Sequence, residues 1–251
     1  MKKEFIKGKN GYDIPCLHNI SGSDRLVVII IHEFRSLKYT PTTAAIIPAL
    51  ENEGISSICF DFPGHDESPV DGEKFLMGNC LDDLASVEEH VRAISPDAEI
   101  AYFASSFGAY TLLLHFAMRK PLGRRAFLRC AAVDMAKVIE RAAAPDAFRT
   151  LNEQGYVVLD KGPLRPLKMM KQLYEEFKEY RPINLLKKGQ GDFVMIHGAK
   201  DKNVPLEWVS EFSNALDIPL IIIEDTDHFM FKPASAMITV VDEAVKFFKR
   251  S

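Results

Sequence analysis

Ser106 stands in the stretch E-I-A-Y-F-A-S-S-F-G-A-Y-T-L-L-L-H-F over residues 99–116, where a short apolar β-run meets a knot of small residues and then an apolar helix. Ala104 and Gly108 flank the serine two places on either side, a variant of G-x-S-x-G that suits a very sharp strand-to-helix turn. Such a turn strains the serine backbone and projects its Oγ above a sheet. The following amide, that of Phe107, points at the same space from a helix N-terminus, where it can bind an oxyanion. The chemistry implied is nucleophilic. A serine hydroxyl attacks poorly at neutral pH, so it needs an imidazole to take its proton, and that imidazole needs a carboxylate to fix its tautomer.

Those groups require a scaffold, and the chain alternates strand and helix. L-V-V-I-I-I over residues 26–31 is a continuous β-branched run of the kind buried on both faces of a parallel sheet. An edge hairpin is predicted within residues 4–20, a helix over 43–53, a strand over 56–60 and an amphipathic helix from Met77 through Val91. Further strands are expected over 125–132, 192–198 and 220–223, with helices over 206–216 and 235–249. This order predicts a mostly parallel, doubly wound α/β sheet flanked by helices. The alternation stops between Met135 and Leu186. Residues 135–186 are therefore expected to form an inserted cap over a core made of 1–134 and 187–251. Within the cap the pattern suggests a helix at 136–143, a β-hairpin across 155–164 and a helix over 167–180.

In open α/β sheets ligands bind beyond the carboxyl ends of the strands, and four such places carry reactive or recognising groups. They are His32 to Arg35, Ser106 with Phe107, the loop G-A-K-D-K-N-V-P after His197, and E-D-T-D-H-F-M-F after the last strand. In these motifs the chain resembles the α/β-hydrolase superfamily, specifically its compact esterases with a cap after the sixth strand, and the resemblance spans nearly the whole sequence. That resemblance implies Ser106 as nucleophile, Asp201 in H-G-x-x-D-x-x-V-P as the acid and His228 in D-T-D-H-F as the base, in the superfamily's chain order. Asp225 and Asp227 are rival acids, but carboxylates so close to the histidine seldom reach round to Nδ1. The second oxyanion donor maps to the Phe34 amide.

Two positions depart from the superfamily pattern. Glu33 replaces the glycine of H-G-x, and Asp66 replaces a glycine in D-F-P-G-H-D-E-S. A buried, ionised carboxylate at Glu33 would oppose a developing oxyanion, so either it faces solvent or Arg35 or the hole is altered, and a glycine there is expected to preserve or raise turnover.

The resemblance further implies a serine hydrolase acting on small aryl or medium acyl esters, hydroxycinnamoyl esters among them. Thioester or peptide hydrolysis, or a non-catalytic binding role, are the alternatives. Glu33, Arg35, Met135, Leu159, Met170 and Tyr174 are the candidate substrate contacts. An excess of acid over base, 35 against 31, leaves no broad basic surface and argues against nucleic acid as a partner. The four cysteines lack metal or disulfide spacing. No cofactor and no metal are expected. No run of about 18 apolar residues occurs, so no membrane association is expected. The N-terminal segment shows no apolar signal region, and a cytoplasmic monomer or homodimer is expected.

Overall fold

The computed structural model describes residues 1–160, 162 and 164–250; Lys161 and Pro163, on which part of the hairpin predicted over 155–164 falls, lie outside the described residues. Eight strands form one sheet: β1 (Lys2–Lys7), β2 (Asp13–His18), β3 (Leu26–Ile31), β4 (Ser56–Phe60), β5 (Glu99–Ser105), β6 (Arg125–Arg129), β9 (Asp192–Gly198) and β10 (Leu220–Ile223). Their spatial order is β1-β2-β4-β3-β5-β6-β9-β10. The first two strands pair antiparallel and β2 runs antiparallel to β4, while every later pair is parallel.

Every residue of β3 is buried, and alternate side chains leave on opposite faces. Val27, Ile29 and Ile31 join one core cluster; Leu26, Val28 and Ile30 join the other. The first cluster is closed by α2 (Met77–Ile94), α3 (Phe107–Met118) and α8 (Leu206–Leu216), the second by α1 (Pro41–Asn52) and α9 (Ala234–Phe248). A two-sided sheet needs unbroken apolar strands, which is why the β3, β5 and β9 sequences carry so few polar residues. Among the described residues no helix is long and apolar enough to cross a membrane.

The segment between β6 and β9 holds α4 (Met135–Ala142), α5 (Ala147–Gln154), β7 (Tyr156–Leu159), β8 (Leu167–Met170), α6 (Lys171–Glu179) and α7 (Pro182–Leu185). Two expectations need correction here. The hairpin pairs Tyr156–Leu159 with Leu167–Met170, so the predicted helix over 167–180 begins only at Lys171. Leu167 and Met169 are buried while Lys168 and Met170 are half-buried, the period-2 pattern of a strand with one covered face. Helix α5, which carries few apolar residues, was not anticipated. A 3₁₀ turn at Gly72–Lys74 receives the hairpin: Arg165 donates to the Ser68 carbonyl at 2.7 Å, and Lys168 pairs with Glu73.

Candidate active site

The turn from β5 into α3 places Ser106 at φ 50°, ψ −112°, in the left-handed region that a serine occupies only under strain. Three backbone bonds hold it there. Its N–H donates to the Arg129 carbonyl at 2.9 Å, and its carbonyl accepts from Tyr110 and Ala132 at 3.1 and 3.2 Å. Gly108 is required for another reason. A Cβ at this position would sit 2.5 Å from the Ile31 carbonyl oxygen and 2.6 Å from that of His32. This close approach brings the start of α3 against the end of β3, so the Phe34 and Phe107 rings meet edge to face at 5.9 Å. As the first residue of α3, Phe107 presents an amide with no intrahelical partner.

Asp201 and His228 come together at the ends of β9 and β10. The Ala199 N–H donates to the Ile223 carbonyl and that of Lys200 to the Thr226 carbonyl, both at 2.9 Å. Gly198 permits the contact, since a Cβ there would lie 2.5 Å from the Thr226 carbonyl oxygen. The Ser106 hydroxyl is 3.0 Å from His228 Nε2, and His228 Nδ1 donates to Asp201 Oδ2 at 2.6 Å. All three residues are buried.

Asp201 is satisfied on every side. Its Oδ1 accepts from the Asn203 and Val204 amides at 2.8 and 2.9 Å, and His197 Nε2, which donates to the Val204 carbonyl, lies 3.3 Å from Oδ2. Burial alone would raise its pKa, but the His228 hydrogen bond, the imidazole's charge and the Val204 amide outweigh it and hold the carboxyl below its ordinary range. The rival acids are engaged elsewhere: Asp225 pairs with Lys200 at 2.8 Å, and Asp227 accepts from the Phe229 and Met230 amides. Burial pushes the neighbouring Cys130 thiol up to about 12, so it does not compete as a nucleophile.

Two histidines hold the loop after β3. His32 Nδ1 donates to the Glu33 carbonyl at 2.7 Å and its Nε2 accepts from the Phe62 amide at 3.1 Å. His65 Nδ1 donates to the Pro63 carbonyl and its Nε2 accepts from the Arg35 amide at 3.2 Å. Each therefore needs a neutral ring. Burial keeps it neutral, lowering His65 to about 3 and His32 below its ordinary value.

The Glu33 carboxylate stays 22% exposed and is held from the β6 side. Its Oε1 accepts from Arg129 Nη1 at 3.0 Å and its Oε2 from the Ser36 hydroxyl at 3.0 Å. A buried guanidinium at the end of β6 is a stronger partner than water for a carboxylate that is itself largely covered.

A cavity of about 1230 Å³ opens over Ser106 and His228. Glu33, Phe34, Arg35 and Leu159 line it, with Val138, Phe148 and Met169 among its apolar walls. Three expected contacts are not brought there. Met135 is packed in the core, Met170 faces the other side of β8 from Met169, and Tyr174 bonds Glu140 and lies at a tilt against Phe148. Arg129 was missed. Its signal was legible, an arginine directly after the apolar run A-F-L in the core strand R-A-F-L-R.

Among the described residues, three clusters bring metal-binding side chains within reach of one another: Glu4/His18/His90, Cys130/His197/Asp201 and Asp61/Asp66/Glu67. Each already holds a protein donor. Lys2 and His18 donate to Glu4, His197 and His228 approach Asp201, and Lys38 fills the carboxylate cluster.

No family model and no curated protein matches the sequence. Solved structures do. Est1E of Butyrivibrio proteoclasticus with bound ferulic acid superposes with a TM-score of 0.81 at 18% identity, over 98% of this chain and 100% of that one. The mouse alpha/beta hydrolase domain-containing protein 10 gives 0.77 at 16% over 99% and 100%. An esterase of Pyrococcus furiosus, Pf2001, gives 0.72 at 19% over 99% and 90%. The chain has the α/β-hydrolase fold.

Proposed function

We propose that this α/β-hydrolase-fold protein is a serine hydrolase that cleaves carboxylic esters through an acyl-enzyme. One observation carries the reading: an unbroken relay from Ser106 Oγ through His228 to Asp201, at 3.0 and 2.6 Å, beneath an apolar cavity. His228 Nε2 takes the serine proton as Oγ attacks the carbonyl carbon. The Phe34 and Phe107 amides receive the oxyanion. The imidazolium, steadied by Asp201, returns its proton to the leaving alkoxide, and water then repeats the sequence to free the acid.

The cap side of the cavity, with Val138, Phe148, Leu159 and Met169, suits a small aryl or medium acyl chain, hydroxycinnamoyl included. The esterase among the structural neighbours and the ferulic acid held by another support that choice. A non-catalytic role is disfavoured, because the one group that would spoil the oxyanion hole, the Glu33 carboxylate, is taken up by Arg129 and Ser36.

The test is hydrolysis of a p-nitrophenyl ester series beside methyl ferulate and an acyl thioester, with fluorophosphonate labelling. Labelling at Ser106, lost in Ser106→Ala and His228→Ala, is the expected result. Absence of both labelling and hydrolysis in folded wild type would refute the proposal. Turnover of the thioester alone would move the bond type.

A further inference from the structure

Among the described residues Arg129 is the largest fully buried side chain outside the aromatics, and its contacts are unusual in where they fall. Nη1 donates to Glu33 Oε1 at 3.0 Å. Nη2 donates to the carbonyls of His228 and Phe229, at 3.0 and 2.5 Å. The residue's own carbonyl accepts the Ser106 amide at 2.9 Å. One residue therefore touches the nucleophile turn, the loop of the base and the strand end that carries the Phe34 amide.

We infer that Glu33 and Arg129 form a hydrogen-bonded clamp that positions the catalytic loops. The inference rests on the esterase reading, since it concerns what the clamp does for Ser106 and His228. A planar guanidinium reaches the three acceptors from two nitrogens held at a fixed spacing, whereas an ammonium would have to reach all three from one point. The bond to the His228 carbonyl is buried, where a low local dielectric strengthens it, while that to the Phe229 carbonyl is partly covered. Ser36 fixes the second carboxylate oxygen and so the orientation of the first. Both residues act through others and are positioning residues, not catalytic ones.

The sign of the Glu33 effect separates this role from that of a charge merely tolerated near the oxyanion. A tolerated charge would make Glu33→Ala and Glu33→Gln both faster than wild type. A clamp makes Glu33→Ala slower, with kcat down about 10- to 100-fold and KM within about threefold, the loss typical of a sub-ångström misplacement of reacting groups. Glu33→Gln should recover most of that loss, because an amide oxygen still accepts from Nη1. Arg129→Lys should fall with Glu33→Ala, keeping the charge and losing the fork.

Steady-state kinetics on p-nitrophenyl butyrate and fluorophosphonate labelling rates decide the matter, with melting curves to verify folding. Wild-type kcat in Glu33→Ala refutes the clamp while leaving the esterase reading intact. Should Glu33→Ala fail to fold, wild-type kcat in Arg129→Lys refutes it equally. If wild type itself neither labels nor turns over, the esterase reading fails. The crystal structure of Glu33→Gln beside those of wild type and Arg129→Lys then judges the clamp. A 228–229 loop displaced in Arg129→Lys but kept in Glu33→Gln supports it; an unmoved loop in both overturns it.

Discussion

Asp201 is the residue whose single function can be isolated most cleanly, because its two oxygens do separate work. Oδ1 caps the Asn203 and Val204 amides, while Oδ2 accepts from His228 Nδ1. Asp201→Asn keeps the shape but allows an N–H to face Nδ1, which favours the wrong imidazole tautomer. A fall in kcat of about 10³- to 10⁴-fold with KM little changed is expected, measured on p-nitrophenyl butyrate. A fall of less than about tenfold would shift the acid's role to another group. The structure leaves none at hand among the described residues, since Asp225 and Asp227 are bound to Lys200 and to backbone amides.

Strand ends do the positioning. Gly198 lets the end of β9 lie against the loop after β10, and Gly198→Ala would push its new Cβ into the Thr226 and Asp227 carbonyls, 2.5 and 2.7 Å away. Because those obstacles are backbone, relief must come from separating Asp201 from His228. A stability loss of about 1–3 kcal/mol, read as a lower Tm, is expected together with a drop in kcat. Helix α2 carries a different liability. Asp83 is buried with Oδ1 unpartnered and Oδ2 accepting from Tyr12 at 3.2 Å, and burial raises its pKa to about 7. A carboxyl raised from 3.8 in the unfolded chain binds more protons when folded, so its contribution declines as pH rises from about 4 to 7 and is fully lost above that. Asp83→Asn should therefore raise Tm at pH 8, by on the order of 2 kcal/mol of stability, and change it little at pH 4. Melting at both pH values checks this; an equal effect at each would show that the charge is not the cause.

For the molecule as a whole, acid is the predicted weakness. His65, lowered to about 3, and His32 and His197, also lowered by burial, are folded as neutral rings against an ordinary value of 6.5. Below about pH 6.5 the unfolded chain takes up protons that the folded chain refuses, so their contribution is complete above that pH and falls steadily toward pH 3. Asp201 and Asp24, held below the ordinary carboxyl value, add a second loss under about pH 4. Asp83 and Asp61, both raised by burial, run the other way but are two groups against several. Tm should be level near pH 7–8 and drop progressively below 6.5, checked by melting across that range. Activity should fall further only as pH approaches 3, where protonating His65 sets an N–H against the Arg35 amide that it now accepts and loosens the loop after β3.

Much of this was readable in one dimension because the signals are local. Continuous β-branched runs mark strands covered on both faces, alternation with amphipathic stretches marks the helices between them, and A-x-S-x-G marks a turn that small residues alone permit. The cap was read less well: α5 has few apolar residues, and β8 was taken for helix because L-K-M-M suits either period until a partner strand chooses one face. Pocket contacts depend on that choice, which is why Met169 and not Met170 lines the cavity. Glu33 could not be judged from its neighbours in the chain. Its partner, Arg129, is far away in sequence, and whether a carboxylate beside an oxyanion site spoils or supports it depends on what cation the fold delivers to it.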